Sequence, residues 1–249
     1  MSAPELSLVF PVFDEEDNVG PLLASAVALG RRLGRSFEIV VVDDGSQDAS
    51  AARIAAFLSE HPEIRAVHHP SNRGYGAALR SGLREAHGAL VFFSDADLQF
   101  DLDEIEELLA HTGSFDVVAG YRAPRRDPLI RHVLAWGWGT LVNLLFDLGV
   151  RDIDCAFKLF RREVLDAIPI ASLGAFVNTE MLVRARAAGF RIRQVPVTHR
   201  PRRAGRPSGA HPRVIARALL ELATLYRELR TARAQQTGPA TRASARPGS

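Results

Sequence analysis

Ser94-Asp95-Ala96-Asp97-Leu98-Gln99 sets two carboxylates and an amide at alternate positions directly after an apolar run, Ala89 to Phe93. Oxygen ligands in that spacing suit a hard divalent cation, Mg²⁺ or Mn²⁺. Mg²⁺ in particular takes one or two carboxylates and leaves its remaining positions to phosphate and water. The chemistry to expect is that of a diphosphate-linked substrate. A second reading is an Asp-rich helix start, with Asp101 as N-cap and Glu104 as its capping-box partner. Spacing alone leaves both open. Two more acidic turns, Asp14-Glu15-Glu16-Asp17-Asn18 and Asp43-Asp44-Gly45-Ser46, also follow apolar runs, although Asp-Gly is in itself an ordinary turn signal.

Positioning these turns requires strands that end together. Leu6–Phe13, Phe37–Asp43, Ile64–His68, Ala89–Ser94 and Phe115–Ala119 read as strands, and between them Asn18–Leu33, Asp48–Glu60, Tyr75–His87 and Leu102–His111 have helical spacing. Asp48 is a good N-cap. The alternation is that of parallel βαβ units in an open α/β sheet, where ligands bind beyond the carboxyl ends of the strands. Asp14, Glu15, Asp43, Asp44, Asp95 and Asp97 all fall at that edge. After Gly120 the pattern loosens. A strand over Ala156–Phe160, a helix over Asn178–Ala188, a strand over Ile192–Val197 and a helix over Arg213–Arg230 follow. Residues 231–249 have no periodicity and read as a disordered tail.

With 249 residues, 47% of them apolar, the chain has material for one full α/β core. A lone cysteine, Cys155, rules out an internal disulfide framework, a cysteine zinc site and a redox pair; it is expected to pack in the core of a protein kept in a reducing compartment. The N-terminus shows no secretory signal, so the cytoplasm is the expected location. Val133–Val150, with Trp136, Trp138, Leu141, Leu144, Leu145 and Phe146, comes nearest to a membrane segment. Its three glycines, Asn143 and Asp147 suit a core helix or a membrane-surface contact better than a span.

Charge divides the chain. Residues 1–182 carry 16 basic and 27 acidic side chains, whereas residues 183–249 carry 15 arginines and two glutamates. The C-terminal end should seek anions, and anionic lipid headgroups or a phosphate-bearing acceptor answer that need. Clustered arginine is also the footprint of nucleic-acid binding, but no such motif accompanies it and no nucleic-acid partner is expected.

The three acidic turns together, with Asn72-Arg73-Gly74-Tyr75-Gly76-Ala77-Ala78, Gly120-Tyr121-Arg122, Asp152-Ile153-Asp154-Cys155-Ala156-Phe157-Lys158 and Arg202-Arg203-Ala204-Gly205-Arg206-Pro207-Ser208, give a specific pattern. It resembles the family 2 inverting glycosyltransferases of GT-A fold, most closely the branch of dolichol-phosphate and polyprenyl-phosphate sugar synthases, over about Leu6 to Leu229. The resemblance implies a GT-A domain over 1–230, with an acceptor- and membrane-facing insert at 120–150 and a basic closing loop at 200–212. It places Pro11, Phe13 and Glu15 around the base and ribose of a GDP- or UDP-sugar, and Asp43 on the base. Asp95, with Ala96 beside it, falls on the nucleotide side, and Asp97 and Gln99 on a Mg²⁺ or Mn²⁺ ion. Arg202, Arg206 and Ser208 would close over the donor phosphates. Arg122 and Arg131 would bind the phosphate of a polyprenyl acceptor, although Ala135 stands where related synthases have a serine. Asp152 and Glu180 match acidic positions of the family.

The implied reaction is one in-line displacement at the anomeric carbon, by an enzyme peripheral on the cytoplasmic face of an anionic membrane. A lipid phosphate needs no general base; a hydroxyl acceptor on a glycolipid or cell-wall glycan would need one from Asp152, Asp154 or Glu180. The rival classes are a nucleotidyltransferase, which lacks its glycine-rich loop here, a dehydrogenase, which lacks Gly-x-Gly-x-x-Gly after the first strand, and a non-catalytic basic scaffold that binds membranes or nucleic acid.

Overall fold

The computed structural model describes residues 3–123, 129–201 and 212–237, with 129–134, 212–215 and 233–237 traced as backbone. Seven strands form one sheet in the order β3-β2-β1-β4-β6-β5-β7. They are β1 (Leu6–Val12), β2 (Phe37–Asp43), β3 (Ile64–His68), β4 (Leu90–Ser94), β5 (Val117–Arg122), β6 (Phe157–Arg161) and β7 (Ile192–Val197). All neighbours pair in parallel except β6, which runs antiparallel to both β4 and β5. The helices are α1 (Glu16–Arg32), α2 (Ser50–Glu60), α3 (Tyr75–Glu85), α4 (Ile105–Ala110, preceded by a 3₁₀ turn at Leu102–Glu104), α5 (Leu129–Phe146), α6 (Arg162–Ala167), α7 (Val177–Ala187) and α8 (Pro212–Thr237).

Every residue of β1 is buried, as a central strand covered on both faces requires. Its odd and even positions serve different cores. Leu8, Phe10 and Val12 pack with Ile39, Val41, Leu22, Leu23 and Ile105 on one face, while Val9 packs with Val40, Val42, Leu79, Phe93 and Met181 on the other.

The elements depart from the sequence expectations in three instructive places. β5 runs on to Arg122 because Gly120, Tyr121 and Arg122 pair with Val195, Pro196 and Val197 of β7, a continuation that their mixed polarity conceals. Asp101 does cap the 3₁₀ turn by accepting from Asp103 N at 3.2 Å, but Glu104 does not close a capping box: its Oε2 accepts from Thr198 N at 2.7 Å. α8 extends to Thr237, past the Arg230 where periodicity ends, since Thr231-Ala232-Arg233-Ala234-Gln235-Gln236 includes good helix formers that need no apolar face to stay helical behind a packed segment. The Trp-containing segment is helix α5, with Val142 and Phe146 in the core and Trp136 and Leu144 exposed.

Candidate active site

The acidic turns lie at the carboxyl edge of β1, β2 and β4, and the first two are laced together by one another's side chains. Asp14, at φ +51°, accepts from Gln47 N at 2.8 Å while its own N donates to Ser46 Oγ at 3.0 Å. Glu16 and Asp48 exchange helix caps: Glu16 N donates to Asp48 Oδ2 and Ala49 N to Glu16 Oε2, both at 3.0 Å. Asp48 Oδ1 also takes Ser50 N, so it caps α2 as expected from a position one residue earlier. Glu15 Oε2 accepts from Asn18 Nδ2 at 2.5 Å. Pro11 is buried at the end of β1, and Phe13 stands 41% exposed beside it, an aromatic face open to a ligand.

The two aspartates of the second turn have different tasks. Asp43 Oδ1 closes the turn by accepting from Ser46 N at 3.0 Å, and its Oδ2 lies 3.2 Å from His68 Nδ1. Asp44 faces inward and organises the next loop, taking Arg73 N at 3.0 Å, Gly74 N at 2.8 Å and His69 Nδ1 at 2.6 Å, with Ser81 Oγ 2.9 Å from the far side of the imidazole. Gly45, at φ +74°, lets the two loops touch, because a Cβ there would sit 2.5 Å from the Ser71 carbonyl carbon. Gly45→Ala is therefore expected to cost about 2 kcal/mol or more, read as a lower urea midpoint.

Asp95, Ala96, Asp97 and Gln99 leave β4 in a turn that Leu98 enters at φ +57°, a conformation branched and bulky residues resist. Asp97 Oδ1 accepts from Gln99 N at 3.2 Å. Gln99 Nε2 donates to Arg200 O at 3.0 Å and Arg200 N to Gln99 O at 2.7 Å, which commits the amide nitrogen and makes Oε1 the atom that could serve as a ligand. Tyr75 Oη faces Asp95 and favours its charge, yet neither Tyr75 Oη nor Asp95 Oδ1 has a hydrogen bond of proper geometry. Burial and the neighbouring Asp97 push the Asp95 carboxyl up to about 7. A buried, under-bonded acceptor next to a like charge is an arrangement that a divalent cation and a nucleotide would relieve, so the donor set fits the metal. Among the described residues no cluster of three or more His, Cys, Asp or Glu forms a metal cage, which leaves most of any ion's shell to phosphate and water.

Because β6 is antiparallel, the residues before it return to the same edge. Asp152 meets Arg122 at the end of β5 in a forked pair: Nε to Oδ2 and a terminal nitrogen to Oδ1, both at 2.7 Å, with Arg122 N also on Oδ2 at 3.2 Å. Asp154 is exposed, and Cys155 is buried with its thiol pushed up to about 12 by burial and by Asp152. Glu180 is buried and bonded all round, to Ala171 N, to Ser172 N at 2.8 Å and to Arg184 Nε at 2.9 Å. The side chain of Arg131 lies outside the described residues, as do Arg202, Arg206 and Ser208.

A model of the family described as "Glycosyl transferase family 2" matches residues 7–168. The chain belongs to that family. Among curated relatives, a dolichyl-phosphate beta-glucosyltransferase, ALG5C, of Trichomonas vaginalis is 33% identical over 211 residues, covering 77% of this chain and 62% of the relative. A dodecaprenyl-phosphate galacturonate synthase of Rhizobium johnstonii is 30% identical over 209 residues, covering 81% and 60%. The chain thus spans about three fifths of the length of these relatives. The crystal structure of glucosyl-3-phosphoglycerate synthase from Mycobacterium tuberculosis with Mn²⁺, UDP and phosphoglyceric acid aligns at a TM-score of 0.65 and 23% identity over 96% of this chain and 80% of that one. That likeness concerns the fold, which is GT-A.

Of three further side chains that shape this family 2 site, two carried little signal of their own in the sequence. Tyr75 and Asn178 lie in helices, where an aromatic or amide is commonplace. Lys158 is the exception, since a single lysine among 31 cationic side chains marks a position where arginine does not serve.

Proposed function

We propose that this chain transfers one sugar, with inversion, from a nucleoside diphosphate donor to the phosphate of a polyprenyl carrier. The observation that carries the reading is the meeting of the Asp95–Gln99 turn and the Arg122–Asp152 fork on one sheet edge. Relatives named for action on dolichyl and dodecaprenyl phosphate support the acceptor class.

Asp97 and Gln99 would hold the divalent ion, which when bound neutralises charge on the departing nucleoside diphosphate. Phe13, Pro11 and Glu15 flank the base and ribose, Asp43 accepts from the base, and Asp95 lies toward the nucleotide. Arg202, Arg206 and Ser208 are assigned to the donor phosphates, and Arg122 and Arg131 to the acceptor phosphate. Asp152 acts through Arg122 by holding the guanidinium in a fixed plane. Both Asp152 oxygens are engaged by Arg122, and Glu180 is bonded on both of its own. Of the three candidate bases Asp154 alone is exposed, whereas a phosphate acceptor needs no base because its oxygen is already anionic near neutral pH. This favours the lipid phosphate.

A panel of radiolabelled UDP- and GDP-sugars with undecaprenyl or dolichyl phosphate and Mn²⁺ or Mg²⁺ tests the reading. Label in an organic-extractable, mild-acid-labile product is expected; transfer only to hydroxyl acceptors would overturn it. Arg122→Lys should raise KM for the polyprenyl phosphate about tenfold and leave donor KM nearly unchanged, because a lysine cannot reproduce the two-bond fork to Asp152. Among the described residues no helix is long and apolar enough to cross a membrane. We assign the contact with the bilayer to the outward stripe of α5, where Trp136 is 73% and Leu144 82% exposed two turns apart. Trp136→Glu is expected to reduce flotation with anionic liposomes several-fold; equal flotation would remove α5 from the contact.

A further inference from the structure

Lys158 is the only lysine of the chain, and it is fully buried. It is the second residue of β6, opposite Phe93 of β4 and Ala119 of β5, so it shares their face of the sheet and points toward α7. Its ammonium donates to Cys155 O and, at 2.8 Å, to Asn178 Oδ1, and lies 5.6 Å from the centre of the Phe93 ring. Among the described residues no ion pair joins it to a carboxylate. A buried ammonium of this kind is expensive, and burial lowers its proton affinity.

The compensation comes from the site above it. Asp154, Asp152 and Asp95 all favour the charged ammonium, and the relation is mutual, because Lys158 and Arg122 are the cations that favour a charged Asp95 beside Asp97. Arg122 is already committed to Asp152 by its fork. Lys158 has a mechanical role as well. Its bond to Cys155 O pins the turn in which Cys155 N donates to Asp152 O at 3.4 Å, and that turn presents Asp152 to Arg122. Its bond to Asn178 ties the same point to α7. An ammonium suits the place better than a guanidinium, since two carbonyl-type acceptors and one aromatic face satisfy three donors but would strand part of a five-donor fork.

We propose that Lys158 is a positioning residue of this transferase, a buried cation beneath the active site that acts through the Asp152–Cys155 turn and its tie to α7. The proposal rests on the reading that the Asp95–Gln99 turn binds metal and nucleotide. Its test is calorimetric titration of Mn²⁺ into wild-type protein and Lys158→Met, each in the presence of UDP and separately of GDP, with thermal unfolding run in parallel. Met keeps the volume and removes the charge. Affinity for Mn²⁺ with the preferred nucleotide should fall about tenfold or more in the folded variant, the scale on which residues that support metal ligands act. A merely structural lysine would lower the unfolding midpoint and leave affinity within about twofold, and that result overturns the proposal. If Lys158→Met does not fold, Asn178→Ala removes one of the two acceptors that hold the ammonium. It should weaken binding at least about threefold, and unchanged affinity again overturns the proposal. A wild-type protein that binds Mn²⁺ with neither nucleotide instead overturns the reading of the site, and the role of Lys158 with it.

Discussion

Asp97→Ala is expected to lower kcat/KM for transfer from every sugar nucleotide by on the order of 10³ or more, the scale of removing a group that supports charge stabilisation in the transition state. It should do so without weakening the fold. Asp97 is buried next to Asp95, and its presence is one reason that the Asp95 carboxyl is pushed up to about 7. Deleting one of two like charges relieves that repulsion, which works against the loss of the bond from Gln99 N, at 3.2 Å, and of the carboxylate's other contacts. The metal-free variant should therefore unfold at or above the wild-type midpoint while failing to bind Mn²⁺ with UDP or GDP. Asp97→Asn, which keeps an oxygen ligand and removes the charge, should fall between the two in affinity. Undiminished turnover by Asp97→Ala would sink the enzymatic reading and favour the basic scaffold. A large drop in midpoint would mean instead that the turn is structural.

The opposition between stability and activity in this turn also explains what could be read before the structure was known. β2 is a buried parallel strand and reads as a continuous apolar run. β3 and β7, the partly exposed edge strands, mix Arg65 and His68 or Arg193 and Gln194 with apolar residues and are still legible from their β-branched positions and flanking breaks. The acidic turns are legible because three of them follow such runs. The direction of β6 is different. Phe157–Arg161 has the same apolar character whichever way it runs, yet its antiparallel course alone returns Asp152 to Arg122 and sets Lys158 beneath Asp95. Local chemistry was also invisible where it required strain or distant partners. Leu98 gives no hint of a positive φ, and the roles of Asp44 and Glu104 depend on Arg73, Gly74 and Thr198, which are remote in sequence. Two neighbouring carboxylates of one pattern can thus differ entirely in task, Asp43 closing its own turn and Asp44 holding the next loop.

Glu180 is the sharpest case of the second kind, and its removal should have the largest effect on stability of any single change considered. Its carboxylate is 3% exposed and takes bonds from Ala171 N, Ser172 N and the Arg184 guanidinium, itself only 12% exposed. Glu180→Ala leaves two backbone amides and the Arg184 Nε without their acceptor, with only the bond to Glu228 remaining to the guanidinium. Breaking a buried pair from one side costs about 3–5 kcal/mol, measurable as a fall in the urea midpoint at constant slope. The damage should travel in a definite direction. The loop that Glu180 clamps brings Leu173 O onto Gly76 N at 3.0 Å and Ala77 N at 3.3 Å, which closes the start of α3 where Tyr75 faces Asp95. On the other side Arg184 reaches Glu228 of α8 at 2.9 Å. Glu180→Gln keeps an acceptor oxygen and the shape, so it should lose markedly less stability and retain kcat within a few-fold once folded. A general base would behave in the opposite way, with kcat falling by about 10² to 10⁴ in the Gln variant at nearly unchanged stability. The pair of measurements on this one residue therefore separates a hydroxyl acceptor deprotonated by Glu180 from a phosphate acceptor that needs no proton removed.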